Sequence, residues 1–289
     1  MKYIILTKRG LTAITAVTLS ALLIVFGICG RKSALSSAAA EEGKRLLPIY
    51  CVETDEKKIA VTFDAAWGAD DTERLIEILK NHNAKATFFV VGEWAEKYPD
   101  SVKAFYASGH EIGNHSASHN MYSSLTESEI IKDITLCNEA VKKAIGVTPV
   151  LMRAPSGDYT NDTITAATKL NMKTIQWSVD SLDWKGLDTD EIVKRVTDKT
   201  ECGSIILFHN DIKNTPDALD RILTELEKKG YSFVTVSELI YDGDYKIDSA
   251  GKQIKNAAST RTLRRIQNPI GNFIRKIRFY LSLYRIKNL

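Results

Sequence analysis

Hydrophobic positions between residues 57 and 240 alternate between short apolar runs and longer amphipathic stretches. The apolar runs are rich in β-branched and aromatic residues, which predicts strands, and most of them precede a stretch with helical periodicity. They read KIAVTFD, ATFFVV, HEIGNH, PVLMRAP, KTIQWSVD, SIILFH and SFVTVSEL. Strands that alternate with helices are typical of a parallel sheet. The pattern therefore predicts an α/β fold, a distorted (β/α) barrel of about seven strands.

Titratable side chains collect where these predicted strands end. They are Asp64, His115, Arg153, Asp180, Asp183 and His209. Taken singly, each also fits a structural use, such as a helix cap for Asp64 or a satisfied core histidine for His209. Loops at the carboxyl ends of barrel strands carry the chemistry in folds of this kind. The shared position of these residues therefore predicts one functional site.

The segment HSASH places two imidazoles close together in sequence. His115 and His119 are four residues apart, a spacing that can aim both rings at one divalent cation. The same spacing also occurs on solvated faces of helices. Because the pair follows the extended segment EIGNH, a metal-ligand pair is the favoured interpretation.

Five separated segments, TFDAAWG, HSASH, RAPSG, DSLDW and LFH, occur in this order along the chain. They resemble the five motifs of the polysaccharide deacetylases with a NodB-homology domain, carbohydrate esterase family 4. The resemblance covers about residues 57–240, and the tryptophan in FDAAWG is most similar to the sporulation-associated branch. It implies metal-assisted hydrolysis of N-acetyl groups on amino sugars of a cell-wall, peptidoglycan-type glycan. A nucleic-acid partner is not expected.

The resemblance also implies roles for individual residues. Asp64 matches the general base, and Arg153 matches the arginine that orients it. His209 matches the catalytic acid, and Asp183 matches the carboxylate that tunes this acid. An acid and a base in opposite environments are what amide hydrolysis requires.

The remaining matched residues concern the metal and the substrate. His115 and His119 match ligands of a divalent cation, usually zinc. Ser156 matches the donor of an oxyanion N–H, Trp184 matches a residue that lines the groove, and we group Trp67 with these substrate residues.

One position departs from the family pattern. The third metal ligand of the family, an aspartate, is Ala65 in this chain. A site with two histidines must complete its shell with water or with another carboxylate, such as Asp70 or Asp71. The alternative function is a catalytically silent glycan-binding or wall and spore assembly protein that uses the same groove.

The amino-terminal segment predicts a membrane association. Residues 11–29 are uncharged and nearly long enough to span a bilayer, so residues 1–32 are interpreted as a signal anchor. Cleavage after Ala40 is the alternative, and it would give a secreted form. Either way the catalytic domain is expected outside the cytoplasm. Residues 33–56 are then a linker and lead-in to the domain at 57–245.

The carboxyl-terminal segment 246–289 differs in charge from the domain. Residues 1–32 carry five Lys or Arg and residues 252–289 carry ten, both without acids, so the net charge of +3 leaves residues 33–251 at −12. Basic and apolar residues alternate at helical spacing near the end, which predicts a basic amphipathic helix. It fits binding to an anionic membrane or wall polymer, and it fits equally a helix packed on the barrel.

Overall fold

Strands form at the apolar runs predicted from the sequence. The computed structural model describes residues 45–256, and residues 47–256 belong to one compact unit. The strands are β1 Cys51–Val52, β2 Lys58–Ala65, β3 Ala86–Val90, β4 Glu111–Asn114, β5 Leu151–Met152, β6 Lys173–Thr174, β7 Val179–Asp180, β8 Ile205–His209, β9 Ser232–Val234, β10 Tyr245–Ile247 and β11 Lys252–Lys255.

Helices occupy the amphipathic stretches between the strands. They are α1 Thr72–Asn81, α2 Gly92–Lys97, α3 Pro99–Ala107, α4 Glu127–Ile145, α5 Asn161–Lys169, α6 Thr189–Lys199, α7 Thr215–Lys228 and α8 Val236–Leu239. Residues 92–107 form two helices, α2 and α3, because Pro99 begins a new helix.

The main sheet is parallel and strongly curled. Its strand order is β6-β5-β4-β3-β2-β8-β7, and β9 pairs with β2 in addition. The two edge strands β6 and β7 are consecutive in the chain and are joined only by residues 175–178. So short a link spans at most roughly 18 Å when fully extended, so the two edges of the sheet must face each other. The prediction of a curled, barrel-like parallel fold is confirmed.

One predicted strand requires correction. The run KTIQWSVD was expected to be a single strand, but it contributes β6 to one edge of the sheet and β7 to the other. Between them, the Gln176 N–H donates to the carbonyl of Ile49 and the Ser178 N–H donates to the carbonyl of Ile205. Ile175 and Gln176 are buried where the run crosses the open side of the barrel, whereas Ser178, just before β7, is exposed.

Alternation along β2 directs its carboxylate into the barrel. Ile59, Val61 and Phe63 pack beneath the surrounding helices, whereas Ala60 belongs to the cluster inside the barrel. Asp64 continues the inner face at the carboxyl end of the strand, because successive side chains of a strand point to opposite sides. Residue 65 returns to the helix-facing side, so the two neighbouring positions lie in different surroundings.

A small second sheet joins the two ends of the described chain. Strand β11 pairs with β1 in parallel and with β10 in antiparallel orientation. The first residues of the segment 246–289, expected to belong to the basic tail, therefore fold onto the domain as strands. The rest of that tail lies outside the described residues.

The predicted anchor also falls outside the described part of the chain, since residues 1–44 precede it. Within residues 45–256, none of the helices has the length and apolar character that crossing a membrane requires.

Candidate active site

A cavity of about 630 Å³ opens at the carboxyl ends of the barrel strands. Its lining consists of Asp64, Trp67, His115, His119, Ser156, Trp177, Asp180, Trp184, Leu207, His209, Asp211 and Ile212. Seven of the nine residues selected from the sequence lie on this wall. The other two, Arg153 and Asp183, are buried directly behind it and contact Asp64 and His209. The fold thus brings all nine to one place.

Asp64 and Arg153 form a buried ion pair beneath the cavity. Nη1 of Arg153 donates to Oδ1 of Asp64 at 2.7 Å, and the exposed fractions of the Arg153 and Asp64 side chains are 0% and 6%. Burial alone would raise the pKa of Asp64, but the charge and hydrogen bond of Arg153 and the charge of His209 outweigh burial and lower this pKa below its ordinary value. The carboxyl group is consequently an anion at neutral pH. The structural alternative for Asp64, a helix cap, is wrong, because Asp71 is the N-cap residue of α1.

Residues that sequence reasoning did not select hold the arginine in place. Nη1 of Arg153 also donates to the hydroxyl of Thr62, and Nη2 donates to the carbonyl of Gln176. The guanidinium lies 4.1 Å from the ring centroid of Phe89. Thr62 lies two residues before Asp64 on the inner face of β2, and this spacing was the one available signal for its position. The Gln176 contact depends on the chain crossing the barrel, which the sequence did not show.

His209 and Asp183 form a second pair on the other side of the cavity. Nδ1 of His209 lies 2.7 Å from Oδ1 of Asp183, whose exposed fraction is 1%. Burial opposes the charged imidazolium, yet the hydrogen bond and charge of Asp183 outweigh burial and raise the pKa of His209. The environment of this pair therefore favours the protonated acid, opposite to the environment of Asp64.

His115 and His119 face the cavity as neutral imidazoles. Nδ1 of His115 lies 2.9 Å from the carbonyl oxygen of Arg153, so this nitrogen carries the proton and Nε2 is left as an acceptor. Burial lowers the pKa of His115 to about 4, and burial also lowers the pKa of His119. The ring centroids of the two histidines are 5.1 Å apart. Neutral imidazoles of this kind are suitable ligands for a divalent cation.

A second contact supports a cation at this place. Nε2 of His115 lies 3.4 Å from Oδ2 of Asp64. In the tautomer set by the Arg153 carbonyl, these are two acceptors that face each other in a buried position. A cation or a proton between them would relieve that repulsion.

Position 65, where the family has its third metal ligand, offers no atom that can bind a metal ion. Ala65 is fully buried and packs in the helix-facing cluster. Asp71, named from sequence as a substitute, accepts a hydrogen bond from the Asp211 N–H at 2.7 Å, and burial raises its pKa to about 6. Residues 45–256 contain no group of three or more His, Cys, Asp or Glu arranged to hold a metal ion. The donor set therefore fits two protein ligands, with the rest of the shell left to water or substrate.

Aromatic side chains form the walls above these polar groups. Trp67 and Trp184 keep exposed fractions of 55% and 54%. The ring of Trp67 lies 5.9 Å from that of His119 and 6.0 Å from that of His209. Its loop is fixed because the carbonyl of Gly68 accepts hydrogen bonds from the side chains of both Trp94 and Asn210.

Ser156 lies at the edge of the cavity in the left-handed region of backbone space, with φ of 55°. A non-glycine residue in that region is uncommon, and such conformations cluster at functional sites. Ser156 belongs to the short loop Pro155–Gly157 and is the residue of that loop that lines the cavity.

We predict that Arg153→Met destabilises the protein by about 3–5 kcal/mol, because Asp64 is left as a buried charge without a partner. The double variant Asp64→Asn/Arg153→Met removes both charges, so its free energy of unfolding in urea should exceed that of the single variant. Arg221→Met is the matched control, since the Arg221–Asp190 pair is exposed and such pairs contribute about 0–1 kcal/mol. A single variant as stable as the control would contradict the buried-pair interpretation.

Comparison with known proteins agrees with this geometry. A family model described as "Polysaccharide deacetylase" matches residues 52–175. A peptidoglycan-N-acetylglucosamine deacetylase of Bacillus cereus is 37% identical over 189 residues, which cover 64% of this chain and 69% of that protein. The deacetylase PgdA of Listeria monocytogenes is 34% identical over 81% of this chain, but the match spans only half of the Listeria protein.

A solved structure with a similar fold has a different description. It is a pseudoenzyme of the CE4 family from Bacillus anthracis, with a TM-score of 0.65 and 33% identity over 66% of this chain and 68% of that chain. A mutant of that pseudoenzyme is described as having restored enzymatic activity. On the motifs, the curled parallel sheet and these matches, the chain belongs to the polysaccharide deacetylase family.

Proposed function

We propose that this protein hydrolyses N-acetyl groups of amino sugars in a peptidoglycan-type cell-wall glycan and releases acetate. The observation that carries the proposal is the presence of two buried pairs with opposite electrostatics on one cavity. The surroundings of Asp64, with Arg153, favour the carboxylate, and those of His209, with Asp183, favour the imidazolium. The names of the Bacillus cereus and Listeria monocytogenes relatives support this reaction class.

The chemistry follows from the positions of these groups. Asp64 accepts a proton from a water molecule as the water attacks the acetyl carbonyl carbon. The N–H of Ser156 is proposed to donate to the oxyanion that develops on the carbonyl oxygen. His209 then donates its proton to the leaving nitrogen as the C–N bond breaks. The products are acetate and the ammonium form of the amino sugar, and the proton held by Asp64 returns through solvent to His209, so atoms and charges balance.

His115 and His119 are the residues that would hold a divalent cation, with zinc the proposed ion. A cation held there supplies Lewis-acid polarisation of the acetyl carbonyl. Two imidazoles without a protein carboxylate as third ligand are expected to bind the ion weakly. Asp64 and His209 keep their roles as base and acid in this scheme.

The aromatic walls support a carbohydrate substrate. Trp67 and Trp184 present broad exposed faces on the cavity, and such faces pack against the apolar faces of sugar rings. Trp67 lies above both His119 and His209. We therefore propose that it closes over the reacting N-acetyl group, while Trp184 supports the glycan beside it.

A silent glycan-binding protein is the second candidate. It is favoured by Ala65, which lacks the carboxylate of the family, and by the similarity to the Bacillus anthracis pseudoenzyme. The intact base and acid pairs favour the enzyme, since binding alone has no use for oppositely tuned groups. An assembly role in the wall or spore envelope would belong to this second candidate.

The location of the protein is also a proposal. We propose that residues 1–32 anchor it in a membrane with the domain outside the cytoplasm, on the basis of the uncharged run 11–29. The sporulation-associated branch is proposed from the segment FDAAWG alone. The basic tail is proposed to contact an anionic membrane or wall polymer.

Asp64→Asn tests the proposed reaction. The wild type should release acetate from N-acetylglucosamine oligomers or muropeptides, and the variant should lose roughly two to four orders of magnitude in kcat, the range for lost acid/base catalysis. Asparagine leaves Arg153 as a buried charge without a carboxylate, so the variant is assayed below its own melting temperature. There glycan binding should persist, because asparagine keeps the shape of the aspartate side chain. Asp100→Asn, at an exposed position of α3, is the matched control. Glycan binding by the wild type without acetate release would contradict the enzyme and favour the silent candidate.

Ala65→Asp tests the cation. A carboxylate at this fully buried position without a counter-ion lowers stability, so the variant should melt below wild type in chelator. Added zinc should raise its melting temperature more than that of wild type, because a third ligand tightens the site. Ala65→Asn controls for size, and His119→Ala should abolish the zinc response. If zinc shifts none of these melting curves, the two-histidine cation site is wrong.

A further inference from the structure

The carboxylate of Asp183 accepts four hydrogen bonds, and one of its donors has no role so far. Oδ1 accepts from the Trp184 N–H at 2.9 Å and contacts Nδ1 of His209 at 2.7 Å. Oδ2 accepts from the His209 N–H at 2.8 Å and from the hydroxyl of Thr215 at 2.7 Å. Thr215 is the only side chain besides His209 among these donors.

The position of Thr215 in the fold explains how it reaches this carboxylate. His209 is the last residue of β8 and Thr215 is the first residue of α7, with five loop residues between them. The side chain of Thr215 is fully buried, and its own N–H donates to the carbonyl of Ile212. Asp183 thus binds both ends of the loop that follows the acid.

An aspartate needs such donors to hold its carboxylate in one orientation. The torsion that rotates the carboxylate plane is soft, with a broad range of allowed angles. Each oxygen of Asp183 has one backbone donor, so Thr215 is the second donor on Oδ2, as His209 is on Oδ1. Loss of the hydroxyl would leave a buried oxygen with one donor and free the plane to rotate away from Nδ1 of His209.

We infer that Thr215 is a positioning residue for the acid: its buried hydroxyl fixes the Asp183 carboxylate so that Oδ1 faces Nδ1 of His209. The consequence for turnover rests on the proposed function, because it takes His209 as the proton donor. The consequence for the imidazole does not, because it follows from the contacts of the free protein.

Other groups besides Asp183 also influence the charge of the His209 imidazole, and a substitution of Thr215 does not alter them. Asp183, Asp64 and Asp180 stabilise its charged form. The charge of His209 in turn lowers the pKa of the neighbouring His119. The ring of Trp67 lies 6.0 Å away. Substitution of Thr215 changes none of these five side chains.

Thr215→Val and Thr215→Ser provide the test in the full-length protein. Valine keeps the shape and removes the hydroxyl, whereas serine keeps the donor. Thr224→Val on the same helix is the matched control, since its hydroxyl donates to a backbone carbonyl at an exposed position. Three quantities are compared among the variants: the imidazole titration of His209, followed by NMR of the labelled free protein, and kcat and KM for acetate release.

In Thr215→Val we expect the His209 titration to move to lower pH, because the weakened contact with Asp183 no longer supports the imidazolium. We expect kcat to fall roughly ten- to a hundredfold, the range for a lost hydrogen bond to a charged group, with KM within about twofold. Thr215→Ser and Thr224→Val should match wild type in all three quantities.

A His209 titration that stays in place or moves to higher pH in Thr215→Val would overturn the positioning role. So would a loss in Thr215→Ser equal to that in Thr215→Val, because serine retains the donor. If the wild type releases no acetate while the titration moves as expected, the proposed function fails and the positioning of His209 by Thr215 stands.

Discussion

The buried ion pair between Asp64 and Arg153 is the interaction on which the site depends. Arg153 leaves the end of β5 and reaches across the barrel to Asp64 on β2, and it also binds the carbonyl of Gln176 in the segment that crosses the open side. A guanidinium buried to this degree is tolerated only because a carboxylate, a hydroxyl and a carbonyl surround it. The same contacts join three parts of the fold and keep Asp64 ionised.

The rest of the site follows from having this anion at one side of the cavity. His115 donates Nδ1–H to the carbonyl of Arg153 and therefore turns Nε2 toward Asp64. His209, on the adjacent strand β8, is held by a separate carboxylate, Asp183, and its charge is favoured by Asp64 as well. The same end of the barrel thus favours a deprotonated Asp64 and a protonated His209, although both side chains face the same cavity.

Much of this arrangement was accessible from sequence, because strand ends and motif spacing are local signals. Asp64, His115 and His209 could be placed at strand ends from the apolar runs that precede them. The contacts of Thr62 with Arg153 and of Thr215 with Asp183 could not be predicted, since each joins distant parts of the chain, 91 and 32 residues apart. The division of KTIQWSVD between two sheet edges escaped for a similar reason: curling of the whole sheet, and not the local pattern, determines it. The burial of Ala65 could not be predicted either, because it depends on how the helices pack against that side of β2.

The pH dependence of acetate release tests the central claim most directly, because the claim is that one cavity holds an ionised carboxylate and a protonated imidazole together. The account predicts a bell-shaped profile of kcat/KM, since the free enzyme needs both groups in these forms. Its acidic limb should lie below the ordinary pKa of 3.8 for Asp64, and its alkaline limb should lie above the ordinary pKa of 6.5 for His209. An alkaline limb below pH 6.5, or activity that rises continuously with pH across this range, would contradict it.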